Sequence, residues 1–172
     1  EAPLSHCPRS LRFALFAGFV LTGIAGAAPA PVLEVTLRPL ADGGDVRRVE
    51  ILQRVTGLDT TPGQPLFFVP ARVTYVRGQD YAAEDVVATD DFGLLPLVMD
   101  VQPDVPGAPL QWRTFTPRRA VNGVVSLRYR AEVAPALGPR RRGPSYDLRG
   151  VQGGFGGAPF SFLLMPSPSL EA

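Results

Sequence analysis

The side chains best suited to chemistry in this chain are its single histidine, His6, and its single cysteine, Cys7. Histidine and cysteine are the residues that most often bind zinc and that form or activate nucleophiles. Both lie before an apolar segment that has the pattern of a signal peptide, and no lysine occurs anywhere in the chain. We therefore expect the mature protein to lack most catalytic chemistry.

Residues 9–27 have the three parts of a secretory signal peptide. Arg9 and Arg12 supply positive charge, residues 13–25 are apolar, and Ala25, Gly26 and Ala27 are the small residues of a cleavage site. The apolar core is shorter than the ~20 residues that a membrane span needs, which argues against an uncleaved anchor. Because Cys7 precedes this core, it is not placed as the lipidated cysteine of a lipoprotein.

The domain prediction follows from this pattern. We expect a leader and a helical signal peptide over residues 1–27 and a single β-domain over residues 28–172, exported to the periplasm or beyond, with no stable membrane span after cleavage. The chain has 17 basic and 16 acidic residues, and removal of Glu1, Arg9 and Arg12 leaves equal numbers. That balance excludes the basic footprint of a nucleic-acid-binding protein.

No convincing catalytic or metal site emerges from the mature segment. Zinc needs three or four convergent ligands, and this segment offers carboxylates alone. We therefore predict no catalytic residue, no metal site and no cofactor, whereas residues that bind a ligand and the oligomeric state stay open. Ser126, Ser145 and Ser161 are read as ordinary serines because no histidine or lysine can activate them.

Paired carboxylates could act as general acid and base, as in glycosidases. Asp90 and Asp91 are neighbours, however, and adjacent residues of a strand point to opposite faces. Asp80, Glu84 and Asp85 are scattered around a predicted loop. Because Asp and Glu are mostly exposed in proteins, we predict that all five are solvated turn residues.

Three consecutive arginines, Arg140, Arg141 and Arg142, lie between a proline and a glycine in the long irregular stretch of residues 135–159. They could contact an anionic group or another domain, but a solvated loop is the simpler reading. Glycine-rich residues 153–157 lack the following helix and the lysine of a phosphate-binding loop, so we predict a flexible turn there, with Phe155 packing outside it. Trp112 is expected to be a core or inter-sheet aromatic.

Alternating apolar and polar residues are the main structural signal after Pro31. The clearest run covers residues 124–133, where alternate apolar positions imply one buried and one solvated face. Residues 32–38 and 46–56 predict a hairpin around a turn at residues 41–45. Other predicted strands cover residues 66–69, 71–76, 84–89, 95–101, 110–115 and 160–165, with a turn at 90–93 and a loop at 102–109. These patterns predict an all-β fold, predominantly antiparallel, as a sandwich or a saddle-like sheet.

Three stretches together resemble the N-terminal β-domain of the M61 family, the glycyl-aminopeptidase-like zinc peptidases of bacteria. They comprise residues 55–58 with 66–70, residues 109–113 with the strand of 125–133, and residues 146–150 with 157–166. This chain departs from the family's turn after the first stretch, where it has residues 76–81. The likeness covers nearly all of the mature chain, through short and loosely spaced elements.

The resemblance implies a non-catalytic, exported domain that supports an adjacent catalytic domain and walls one side of its substrate cleft. The zinc-binding His-Glu-x-x-His helix of such peptidases lies outside this sequence, so no catalytic residue can be carried over. On this reading the chain is the N-terminal piece of a longer protein. The alternative is a free-standing periplasmic β-sandwich that binds a peptide, a glycan or a partner protein.

Overall fold

The structure, a computed structural model, describes residues 11–14, 32–58, 63–136, 146–151 and 154–167. In these ranges, short strands alternate with turns, and the two helical elements, η1 (Ala83–Asp85) and η2 (Pro159–Ser161), are single 3-10 turns. The strands are β1 (Leu11–Ala14), β2 (Val32–Asp42), β3 (Asp45–Thr56), β4 (Phe67–Val73), β5 (Val76–Arg77), β6 (Val87–Asp90), β7 (Gly93–Leu94), β8 (Leu97–Val101), β9 (Leu110–Pro117), β10 (Val125–Glu132), β11 (Arg149–Val151), β12 (Gly154–Gly156) and β13 (Met165–Pro166).

These strands form two main sheets and one small hairpin. The first sheet has the order β1-β2-β3-β10-β6-β7, and the second has the order β13-β4-β9-β8, with β5 pairing to β4. The remaining pair is β11 with β12. Each pairing between these strands is antiparallel, which confirms the predicted all-β, predominantly antiparallel fold.

The hairpin of β2 and β3 is confirmed, with a tighter turn than the sequence predicted. Asp42 pairs with Asp45, so only Gly43 and Gly44 connect the strands. Both glycines have positive φ, 59° and 92°, which is the geometry of a type I′ turn and matches the right-handed twist of the flanking strands. Any other residue would be strained at these two positions.

One apolar core is shared by the two sheets. The inner face of β10 carries four buried residues at alternate positions, and the residue directly after the strand continues the alternation, as the sequence predicted: Val125, Leu127, Tyr129, Ala131 and then Val133. They join the buried side chains of β3 and those of β4 and β9 from the other sheet in a single cluster, among them Val49, Ile51, Val55, Phe67, Val69 and Phe115.

A buried polar network ties the chain after η2 to this core. The Gln53 amide donates to the carbonyl of Leu164 at 3.0 Å and accepts the N–H of Leu164 at 3.2 Å and the Tyr129 hydroxyl. The Tyr129 hydroxyl also accepts the N–H of Leu164 at 2.9 Å. Tyr81 donates to the carbonyl of Phe162 at 2.9 Å and packs edge-on against Tyr129. Because burial raises the pKa of both tyrosines, both hydroxyls keep their protons.

The predicted strand over residues 160–165 is wrong for most of its length. Pro159 begins the 3-10 turn η2, since proline fits the first position of a helical turn, and pairing resumes only at Met165. The predicted strand over residues 84–89 begins instead at Val87, because η1 occupies the residues before it. The predicted strand over residues 95–101 begins at Leu97, after the buried Leu95 and the exposed Pro96.

Trp112 is neither the core aromatic nor the inter-sheet aromatic that the sequence suggested, because its aromatic partner lies in its own sheet. On β9 it alternates with Arg113, which is buried, and its own side chain is half-buried. Its ring packs edge-on against Phe68 of β4, with 5.0 Å between ring centroids. The prediction failed because an alternating pattern separates two faces of a strand without showing which one is buried. Here the buried face carries Arg113, so Trp112 lies on the other face.

Of the predicted signal peptide, the structure describes Leu11–Ala14 alone, as the strand β1 paired with β2. The helical prediction is therefore not confirmed at these four positions, and the remainder of the signal peptide, with its cleavage site, lies outside the described residues. Within the described ranges, no helix has the length and apolar character needed to cross a membrane.

Candidate functional site

An open groove of about 820 Å³ lies beside the outer face of β10. The loop of residues 78–81 forms one wall together with Asp85 of η1 and Val87 of β6, and residues 133–134 and 147–148 close one end. Tyr129, Val133 and Leu148 contribute buried apolar surface, whereas most of the other lining side chains are charged. The volume falls in the range of small-molecule and peptide sites, roughly 300–1,000 Å³.

The groove exists because the pairing of β6 with β10 stops early. The ladder ends where Val87 faces Arg128, and η1 then turns the preceding chain away, with the N–H of Asp85 donating to the carbonyl of Ala82. The side chain of Asp85 accepts the N–H of Ala82 at 2.9 Å and fixes that turn. In the part of the chain that the structure describes, the rest of the β10 edge therefore has no neighbouring strand.

Gln79 covers the far end of this edge with its side chain. Its amide donates to the carbonyl of Glu132 and accepts the N–H of Glu132, both at 2.9 Å, as a paired strand would. The loop that carries Gln79 is held by Arg113, whose guanidinium donates to the Gln79 carbonyl and, at 2.6 Å, to Asp80. Because the Arg113 side chain is only 9% exposed, this contact joins the groove wall firmly to the second sheet.

Arginines neutralise four of the carboxylates in the groove. Glu50, whose side chain is 10% exposed, accepts two hydrogen bonds from Arg128 at 2.7 and 3.0 Å and one from Arg38 at 3.5 Å. The Arg128 hydrogen bonds hold the pKa of Glu50 below its usual value. The other pairs are Arg48 with Glu132, Arg113 with Asp80, and Arg149 with Asp147.

Two arginines of the groove are not matched in this way. Among the described residues, no carboxylate lies within 4.0 Å of a nitrogen of Arg77 or Arg130. Arg130 lies opposite Glu50 in the register of β3 and β10, and its charge helps to lower the pKa of Glu50 without a direct contact. The guanidinium groups of Arg77 and Arg130 are therefore available to a ligand, in a groove that also contains Asp85, a carboxylate with no arginine partner among the described residues.

The prediction that Asp90 is a solvated turn residue is wrong. Its carboxylate has no solvent exposure and accepts two hydrogen bonds from Arg119, at 2.6 and 2.8 Å. The N–H groups of Phe92 and Asn122 donate to the same carboxylate at 2.9 and 3.0 Å. The arginine, followed by these amides, holds the pKa of Asp90 well below its usual value. Asp90 thus fastens the β6–β7 turn to the chain between β9 and β10.

The other sequence candidates do not come together as a site. Asp80, Glu84, Asp85 and Asp91 are exposed, as predicted. In the described part of the chain, no three His, Cys, Asp or Glu side chains lie close enough together to hold a metal ion.

The serines have ordinary surroundings. Ser126 is exposed on the outer face of β10, and the buried Ser161 donates to the carbonyl of Ala158 at 2.7 Å within η2. Ser145 and the loop of Arg140, Arg141 and Arg142 lie outside the described residues.

The glycine-rich stretch is more ordered than the sequence suggested. Gly154–Gly156 form β12, which pairs with β11, and the central Phe155 packs against the core. Gly153 lies outside the described residues. The predicted irregular stretch of residues 135–159 therefore contains a small hairpin and the fully buried Leu148.

Comparison with known proteins gives no relative for this chain: no family model, no curated protein and no solved structure matches it.

Proposed function

We propose that this chain is a non-catalytic, exported β-domain of the kind that precedes the catalytic domain in M61-like zinc peptidases. Its role is to support that adjacent domain and to wall one side of its substrate cleft. The proposal rests on the resemblance of the three sequence stretches and on the way the structure uses its acidic side chains.

The observation that carries the non-catalytic assignment is the state of the two buried carboxylates. A general acid needs a pKa raised toward neutrality, usually by burial in an apolar pocket. Glu50 and Asp90 have the opposite environment, because each accepts charge-assisted hydrogen bonds from an arginine that lower its pKa. Such carboxylates stay ionised and serve as fixed structural acceptors.

A supporting domain also needs a surface of fixed shape. The β6–β7 turn presents two exposed apolar side chains, Phe92 at 77% and Leu94 at 66% exposure. Asp90 and Arg119 hold that turn from below, with Arg119 also donating to the carbonyl of Leu94 at 2.8 Å. A rigid apolar projection of this type suits contact with a neighbouring domain.

The test combines an activity assay with the coding sequence. The full chain, incubated with zinc and a panel of aminoacyl p-nitroanilides, is expected to release no p-nitroaniline above a buffer control, and reproducible zinc-dependent turnover would refute the proposal. A His-Glu-x-x-His motif encoded within a few hundred residues after Ala172 supports the M61-like assignment. A stop codon directly after Ala172 would favour the second candidate.

That second candidate is a free-standing periplasmic β-sandwich that binds a peptide, a glycan or a partner protein. The groove beside β10 favours it, because its volume and its two unmatched arginines fit a ligand and require no neighbouring domain.

A further inference from the structure

We propose that the groove beside β10 binds an extended acidic peptide, which adds to the open edge of β10 at Arg130 and places carboxylates on Arg77 and Arg130. The inference depends on the geometry of the groove and stands whichever of the two proposed functions holds.

The main chain of Arg130 faces the side of β10 on which Gln79 lies. Successive residues of a strand direct their N–H and C=O groups to opposite edges. Val133 bonds toward β3, through its N–H and the carbonyl of Arg47 at 2.9 Å, whereas Glu132 bonds toward Gln79 on the opposite edge. Arg130, two residues before Glu132, therefore directs its N–H and C=O to the Gln79 side.

Among the residues that the structure describes, no group pairs with the main chain of Arg130 on this side. The β6 ladder ends at Arg128, and the Gln79 side chain begins at Glu132, so Arg130 lies between two satisfied positions. Asp85 would face Arg130 if β6 continued, but its N–H is used within η1. One residue of an added strand can fill this gap by exchanging both main-chain hydrogen bonds with Arg130, which is the pairing used in β-strand addition.

Two guanidinium groups of the groove favour a negatively charged ligand. Of the five carboxylates that line the groove, Glu50, Asp80, Glu132 and Asp147 are each paired with an arginine, and Asp85 accepts the N–H of Ala82. Arg77 and Arg130 are thus the groove cations without a carboxylate among the described residues. Guanidinium groups bind carboxylates through paired, charge-assisted hydrogen bonds. The residue paired with Arg130 has its side chain on the same face of the sheet as Arg130, so a glutamate at that position would bring a carboxylate to these guanidinium groups. A glycan could satisfy the guanidinium groups, but it has no peptide N–H and C=O pair for the edge of β10.

The test uses the full chain and a synthetic heptapeptide of alternating Glu and Val, capped at both ends, in calorimetric titrations at low salt. We expect saturable binding that weakens as ionic strength rises. Replacement of each glutamate by glutamine should abolish most of it, and N-methylation of the central amides should weaken it by preventing edge pairing.

Substitutions then locate the site. Arg77→Gln and Arg130→Gln should each weaken binding about fivefold, which is the effect of one partly exposed ion pair. Arg118→Gln removes the same charge from an exposed residue outside the groove and should leave the affinity unchanged. Thermal unfolding of each variant checks that the fold is intact.

Three results would overturn the inference. The first is that the acidic peptide does not bind. The second is that Arg118→Gln lowers the affinity as much as Arg77→Gln and Arg130→Gln do. The third is that the N-methylated peptide binds as tightly as the unmodified one. Oligogalacturonate serves as the acidic glycan, and tighter binding of it than of the peptide would assign the groove to a glycan instead. None of these results depends on hydrolysis or on the sequence after Ala172, so failure here is distinct from failure of the proposed function.

Discussion

Replacement of Gln53 by leucine should destabilise this protein more than the same replacement of an exposed glutamine. Gln53 is 2% exposed, and its amide is the donor to the Leu164 carbonyl at 3.0 Å. Gln53→Leu removes that donor without creating a large cavity. The N–H of Leu164 keeps the Tyr129 hydroxyl as an acceptor at 2.9 Å. The Tyr129 hydroxyl loses Gln53 as an acceptor but keeps the carbonyl of Phe162 at 3.4 Å, so the carbonyl of Leu164 is the main group left without a partner.

The expected magnitude follows from that single loss. A buried carbonyl without a donor costs about 1–3 kcal/mol, so we expect Gln53→Leu to lower the free energy of unfolding by about 2 kcal/mol. For a domain of about 150 residues, each kcal/mol lowers the midpoint of thermal unfolding by about 2–4 °C, which gives a fall of about 4–8 °C. Amide exchange at Leu164 should accelerate as well.

Urea unfolding followed by circular dichroism measures this difference. Gln111→Leu is the matched control, because Gln111 also donates one hydrogen bond to a main-chain carbonyl, that of Gln102 at 2.8 Å, but in an exposed position. We expect the control to cost about 0.5 kcal/mol or less. Equal effects of the two substitutions would refute the role of Gln53 in holding the C-terminal chain to the core.

Three further predictions concern packing, backbone geometry and pH. Phe115→Ala should lower the free energy of unfolding by about 3–5 kcal/mol because Phe115 is fully buried, whereas Phe92→Ala, at a 77% exposed site, should change it by about 0.5 kcal/mol or less in the same urea titration. Gly78→Ala should lower the thermal midpoint because its Cβ would overlap a carbonyl oxygen of β4, and Gly156→Ala, where nothing lies within 4 Å, should not. Asp90→Asn should destabilise the chain near neutral pH, and the gap to the parent should shrink below about pH 4, because a carboxyl whose pKa is lowered by folding loses its stabilising effect as it is protonated. A gap that widens in acid would contradict that sign.

Much of the fold could be predicted because its information is local. The period-two alternation on β10 and the paired glycines between β2 and β3 depend on neighbouring residues, and both features are present in the structure. The 3-10 turn η2 was missed because the apolar residues that follow Phe160 suit a buried turn as well as a strand. Pro159 favours the turn, because proline fits the first position of a helical turn.

The ionic sites could not be predicted because their partners are remote in the sequence. Asp90 and Arg119 are 29 residues apart, and Glu50 and Arg128 are 78 residues apart. In the sequence, Asp90 and Asp91 before Phe92 have the composition of a solvated turn. In the structure, the loop between β9 and β10 covers Asp90. The open edge at Arg130 likewise depends on where β6 ends, which the alternating pattern does not mark.

The most direct test of the central claim, that the buried carboxylates hold the fold together and do no acid–base chemistry, is a ¹³C NMR titration of the carboxyl groups of Glu50 and Asp90. The account predicts that both titrate below their ordinary pKa values of 4.5 and 3.8. A pKa above the ordinary value for either group would contradict it, because that group would then have the environment of a general acid.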